Sequence, residues 1–116
     1  MLPKTQRITK ALFDEIYKKG RICHSAFFTL RVLDTHTTRL SRFSVVVGKK
    51  VERGAVGRNR LRRRGYAILR TLPTKDGMLG IVMPKKEVIE LTFGEYKEAL
   101  MEVLKKANLF QEKKVI

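Results

Sequence analysis

Guanidinium groups recur one helical turn apart in the middle of this chain, within the stretch KKVERGAVGRNRLRRRGYAILR at positions 49–70. Positions 48–70 hold nine of the 26 Lys and Arg residues but only one acid of 11, Glu52. If 56–72 is helical, Asn59, Arg63, Tyr66 and Arg70 share one side, with Arg60 and Arg62 near its edges. A guanidinium stays charged and presents a rigid fork of donors that matches phosphate oxygens, so such a row can follow a phosphodiester backbone. Most charge runs are only solvated faces. Those faces mix both signs, however, whereas this one nearly excludes acids. The chemistry on offer is binding of a polyanion.

Residues for bond-breaking chemistry do not assemble in the same way. Asp14 and Glu15 are adjacent on an expected helix and so point about 100° apart. His24 and His36 lack ligand spacing, and the other acids are scattered. There is no glycine-rich phosphate loop, nucleophile elbow or cofactor fingerprint. No catalytic residue, metal site or cofactor is therefore expected on the protein itself. Cys23 is the sole cysteine, which rules out an internal disulfide and an all-cysteine zinc site. Phe13 and Tyr17 lie one turn apart beside the basic surface and admit two readings, as core residues or as platforms for unpaired bases.

These side chains need a scaffold, and 116 residues with 43% hydrophobic content suffice for one domain with a real core. The basic helix would dock through Leu61, Gly65, Ile68, Leu69 and Leu72. Gly65 inside it costs roughly 1 kcal/mol relative to alanine, which predicts close approach to a neighbouring element. Thr9 can cap a first helix that runs to Lys19 and stops at Gly20, with Leu12 and Ile16 inward. Alternation over 26–33 predicts a strand with Phe28, Leu30 and Val32 on one face and Phe27, Thr29, Arg31 and Leu33 on the other. The polar run 34–42 suggests a hairpin connection to a second strand at 43–47, and a third is expected at 78–83. Positions 22–24 suit either an extra strand or the approach to the first one. Thr92 and Glu95 form a capping box for a last helix whose apolar stripe is Phe93, Tyr96, Leu100, Val103 and Ala107, with Leu91 and Tyr96 as staple. Positions 1–8 and 111–116 are expected to be flexible tails. The outcome is a single-domain α+β sandwich.

A net charge of +15 and a pI near 10.5 call for a polyanionic partner, with nucleic acid first and an anionic membrane surface second. No apolar run reaches transmembrane length, the amino terminus lacks a signal-peptide core, and a cytoplasmic location is the default.

Phe13-x-x-x-Tyr17-Lys18-x-Gly20, Ser44 to Lys50, the triplet Arg58-Asn59-Arg60 and Leu91-Thr92-Phe93 together resemble the protein subunits of bacterial ribonuclease P. The triplet alone is weak. After a Val-x-Gly-Lys-Lys strand end and before an arginine-rich helix, it is more specific. The resemblance implies a fold like that of a ribosomal protein domain, ordered α-β-β-β-α-β-α, with a left-handed βαβ crossover that carries the basic helix. It also implies assistance to a catalytic RNA that removes the 5′ leader of precursor tRNA, with hydrolysis performed by the RNA and its Mg2+ ions. By the same resemblance Lys49, Lys50, Arg58, Asn59, Arg60, Arg62, Arg63 and Tyr66 would meet the catalytic RNA. Phe13, Tyr17 and Arg31 would line the cleft for the leader. Neither DNA nor a membrane is an expected partner. The alternative is a ribosomal or ribosome-assembly RNA-binding protein, which would share the charge and the fold.

Overall fold

In the computed structural model, residues 8–36 and 41–109 are described. Helix α1 (Lys10–Lys19) starts at Thr9, whose hydroxyl accepts from the Leu12 amide at 3.3 Å. Lys18 and Lys19 sit in its last turn, at the negative end of the dipole. Gly20 ends the helix and donates its N–H to the Ile16 carbonyl at 2.8 Å. A Cβ at Gly20 would stand 2.5 Å from that carbonyl and 2.9 Å from the Val32 carbonyl, so the turn has room only for glycine. The chain continues through β1 (Arg21–His24), β2 (Phe28–Asp34), β3 (Arg42–Val45), α2 (Ala55–Leu69), β4 (Met78–Pro84), a 3-10 turn (Lys86–Glu90) and α3 (Phe93–Lys106).

One mixed sheet runs in the order β1-β2-β4-β3. Strand β1 is a strand in its own right, antiparallel to β2, with Ile22 opposite Arg31. Strand β2 is antiparallel to β4, and β3 is parallel to β4, so α2 is the crossover between two parallel neighbours. The hairpin expected across 34–42 is not formed, because β4 stands between β2 and β3. Residues 78–82 of β4 are buried on both faces of the sheet, which is the mark of a central strand. A polar connection carries no information about which strand will fill the space beside it.

The two faces are covered unequally. Phe28, Leu30, Val32, Phe43, Val45 and Val82 share a core with Leu61, Ile68 and Leu69 of α2 and with Tyr96, Leu100, Val103 and Leu104 of α3. On the other face α1 packs Ile16 on Leu79 and Ile81, with Leu12, Phe13, Leu33, Val46 and Met83 around them. A Cβ at Gly65 would meet Val45 Cγ2 at 2.9 Å and the Tyr96 hydroxyl at 3.2 Å, so this glycine sets how closely α2 lies on β3 and α3. The Tyr96 hydroxyl donates to the Leu61 carbonyl at 3.1 Å, and burial pushes its ionisation upward.

The capping box of α3 is complete, with the Thr92 amide donating to Glu95 Oε1 at 3.0 Å and the Glu95 amide to the Thr92 hydroxyl at 3.2 Å. Hydrogen bonds from Thr92 hold the Glu95 carboxyl below its usual range. Phe93 departs from expectation. It is 48% exposed at the first helical position and not part of the core stripe, whose buried members begin at Tyr96. The expected tails fall outside the described residues, apart from Ile8, which packs against the α1 cluster.

Candidate nucleic-acid interface

Helix α2 docks through Leu61, Gly65, Ile68 and Leu69, all buried, and this turns Asn59, Arg60, Arg63 and Arg70 outward to solvent. Lys49 and Lys50 are exposed in the turn after Gly48, whose carbonyl accepts from the amides of Val51 and Glu52. Among the described residues the ion pairs are Lys19 with Glu15 and His36 with Asp34. The arginines of α2 therefore have no carboxylate partner among the described residues. Arg60 and Arg63, with Asn59 and Val56 beside them, line a shallow cavity of about 330 Å³ on the outer side of the helix.

The basic residues divide by what they hold. Arg58 is half-buried and donates from Nη1 to the carbonyls of Arg53 at 2.6 Å and Glu52 at 3.1 Å, so it staples the entry loop to the first turn of α2. Arg64 donates to the Leu91 carbonyl at 3.3 Å and braces α2 against the start of α3. Arg62 donates to the Asn59 side-chain oxygen, which leaves the asparagine amide group to face outward. Glu52 accepts from the Gly54 amide at 3.2 Å, next to a helix start that has no side-chain cap of its own. The lone acid of the basic stretch thus serves the fold.

Tyr66 is not on the outer stripe where its spacing puts it. It is half-buried, and its hydroxyl accepts from the Val45 amide at 3.1 Å. Strand β3 is an edge of the sheet, so that amide faces away from β4, and the phenol supplies the partner it would otherwise lack. The position lies at the margin between the two sides of the helix, and a long side chain there can reach either.

On the opposite face, Phe13 and Tyr17 of α1 lie with ring centroids 4.9 Å apart and planes inclined by 35°. The Arg31 guanidinium carbon stands 4.1 Å from the centre of the Tyr17 ring. Tyr17 is 41% exposed and its hydroxyl reaches Met83 Sδ at 3.5 Å, whereas Phe13 is half-buried against the α1 cluster. The two readings of these aromatics therefore divide between them, with Phe13 anchoring α1 and Tyr17 presenting ring surface. Sequence reasoning missed Ile22 and Met83, which flank this cluster. Only strand register makes them neighbours, since Ile22 pairs with Arg31, and Met83 pairs with Thr29 on the same face.

Among the described residues no three His, Cys, Asp or Glu side chains stand close enough to hold a metal ion, and no helix is long and apolar enough to cross a membrane. The arrangement leaves two chemically distinct surfaces, a cationic helix on one side of the sheet and an aromatic pair with one guanidinium on the other.

Comparison with known proteins gives a consistent answer. The family model described as Ribonuclease P matches residues 2–108. The ribonuclease P protein component of Pseudanabaena sp. is 32% identical over 112 residues, covering 94% of this chain and 97% of that one. A mutant of the RNase P protein of Staphylococcus aureus superposes with a TM-score of 0.82 at 27% identity, over 92% of each chain. The RNase P protein of Thermotoga maritima does so with a TM-score of 0.75 at 26% identity, over 86% of this chain and 96% of that one.

Proposed function

The chain belongs to the ribonuclease P protein family, and from that membership we propose that α2 grips the catalytic RNA while the α1 cleft takes the 5′ leader of precursor tRNA. It is the protein component of an endoribonuclease that processes tRNA. No observation favours the ribosomal or ribosome-assembly alternative.

One observation carries the division of labour, namely that the two surfaces lie on opposite faces of a single sheet. Leu61, Ile68 and Leu69 of α2 pack on the face of Leu30 and Val45, whereas Tyr17 packs on the face of Arg31 and Met83. Catalytic RNA and leader can then be held together without competing. Lys49, Lys50, Arg60 and Arg63 supply the phosphate contacts on the RNA side, and Arg58 keeps the turn that presents the lysines in register with the helix. Hydrolysis in this reading belongs to the RNA and to Mg2+ bound there, and the protein positions the substrate.

The test is a paired titration of the reconstituted holoenzyme with precursor and mature tRNA. Tyr17→Ala should weaken precursor binding by about 1 to 3 kcal/mol, the usual worth of one stacked base, and leave mature tRNA unchanged. Equal weakening toward both ligands would refute the leader assignment.

A further inference from the structure

Acids are scarce in this chain, yet five of the 11 fall at positions 87–102 against one cation, Lys97. Three of them, Glu87, Glu90 and Glu95, line an open groove of about 730 Å³ beside the 3-10 turn, together with Lys86. Phe27, Ile89 and Leu91 supply the apolar part of its lining, and Ile89 is 41% exposed. Glu95 is engaged in the capping box of α3, whereas Glu87 and Glu90 are exposed and have no cationic partner among the described residues. Carboxylates around an apolar seat repel phosphate and suit an apolar side chain flanked by cations.

Helix α2 carries such a ridge. Val56 is 76% exposed, and Arg60 and Arg63 follow it one and two turns along the same outer side. A hollow of about 120 Å³ joins ridge to groove, since Arg60 and Arg64 belong to it from the ridge and Ile89 and Leu91 from the groove. A patch that is cationic at one end and acidic at the other is self-complementary about a two-fold axis through its middle, each ridge meeting the other copy's groove. We propose that two copies of this chain pair in this way, with Val56 of each seated by Phe27 and Ile89 of the other and Arg60 and Arg63 facing Glu87 and Glu90. The net charge of +15 opposes the pairing at long range, but at physiological ionic strength that repulsion is screened beyond about 8 Å, whereas charges in contact are screened less. The dimer covers Arg60 and Arg63, so catalytic RNA and a second copy compete for α2. That competition, though not the pairing, rests on α2 gripping the RNA.

The experiment is sedimentation equilibrium of the full chain at physiological ionic strength. The mass of the wild-type chain should rise from one copy toward two between about 1 and 200 μM, as suits a modest interface. Glu87→Lys with Glu90→Lys reverses the groove, and Arg60→Glu with Arg63→Glu reverses the ridge; each variant alone should need at least about tenfold more protein to pair. An equimolar mixture of the two variants restores opposite charges at both contacts and should pair within about threefold of the wild-type concentration. Val56→Asp, which leaves those four charges in place, should weaken pairing as the reversals do. All five positions are exposed, and thermal melts confirm that each variant is folded. A wild-type chain that stays monomeric throughout would overturn the pairing and leave the groove to a different basic partner. A dimer that neither reversal weakens, or reversed variants that do not pair when mixed, would overturn it as well. With donor and acceptor dyes on the amino termini, energy transfer between copies should vanish as ribonuclease P RNA is added. Transfer that persists with the RNA bound would overturn the competition alone, and RNA affinity unchanged in Arg60→Glu with Arg63→Glu would remove the reading of α2 without touching the dimer.

Discussion

Substituting arginines in pairs separates the outward arginines of α2, proposed to meet RNA, from those engaged within the fold. Arg60 and Arg63 are exposed, unpaired and clear of the buried stripe, so Arg60→Ala with Arg63→Ala should leave the melting temperature within a degree or two of wild type. If each contacts one phosphate, the slope of log K against log salt should fall by about 0.7 to 0.9 per residue, or about 1.4 to 1.8 for the pair. Between 50 and 200 mM monovalent salt, the affinity gap between wild type and variant should then narrow by about seven- to twelvefold. The comparison pair is Arg58→Ala with Arg64→Ala, which removes the hydrogen bonds to the carbonyls of Glu52, Arg53 and Leu91. That pair should cost about 1 to 3 kcal/mol in stability and change the slope less. Filter binding or fluorescence anisotropy with the catalytic RNA over a salt series, alongside thermal melts, gives all four numbers. An unchanged slope for the first pair and a reduced slope for the second would show that the division between outward and internally engaged arginines is wrong.

Two further substitutions test the packing that aims the basic helix. Gly65→Ala gains about 1 kcal/mol in helix propensity but drives a methyl group into Val45 and Tyr96, so chemical denaturation should show a net loss of about 1 kcal/mol or more, and a net gain would mean that α2 can shift without cost. Tyr66→Phe removes the acceptor for the Val45 amide and should lower stability by about 1 kcal/mol with little effect on RNA affinity at low salt; reduced affinity with unchanged stability would return Tyr66 to the RNA face.

The helices and the interior of β2 were legible in the sequence because their signals are local. Thr9, Thr92 and Glu95 cap where the pattern of side-chain oxygens says they should, and Phe28, Leu30 and Val32 face the core as their alternation requires. The crowded surroundings of Gly65 were likewise implied by a glycine in mid-helix. Strand order was not legible, since nothing in 34–42 signals that β4 will lie between β2 and β3. Tyr66 and Phe93 were misplaced for a related reason. Both sit at margins of a helical stripe, Tyr66 drawn inward by an edge amide distant in sequence and Phe93 left exposed at the first helical position, and periodicity alone decides neither. The pairing of Arg31 with Tyr17 joins a strand to a helix through register, which a periodic reading of either element alone does not contain.

As proposed, this protein holds RNA and leader so that a catalytic RNA can cut. The most direct test is the rate of leader removal by a ribonuclease P RNA at low Mg2+, with and without the protein. The protein should accelerate cleavage of precursor tRNA under those conditions, protein without RNA should cleave nothing, and Tyr17→Ala should lose part of the acceleration. No acceleration at any Mg2+ concentration, or cleavage by the protein alone that is lost on changing one of its acids, would contradict it.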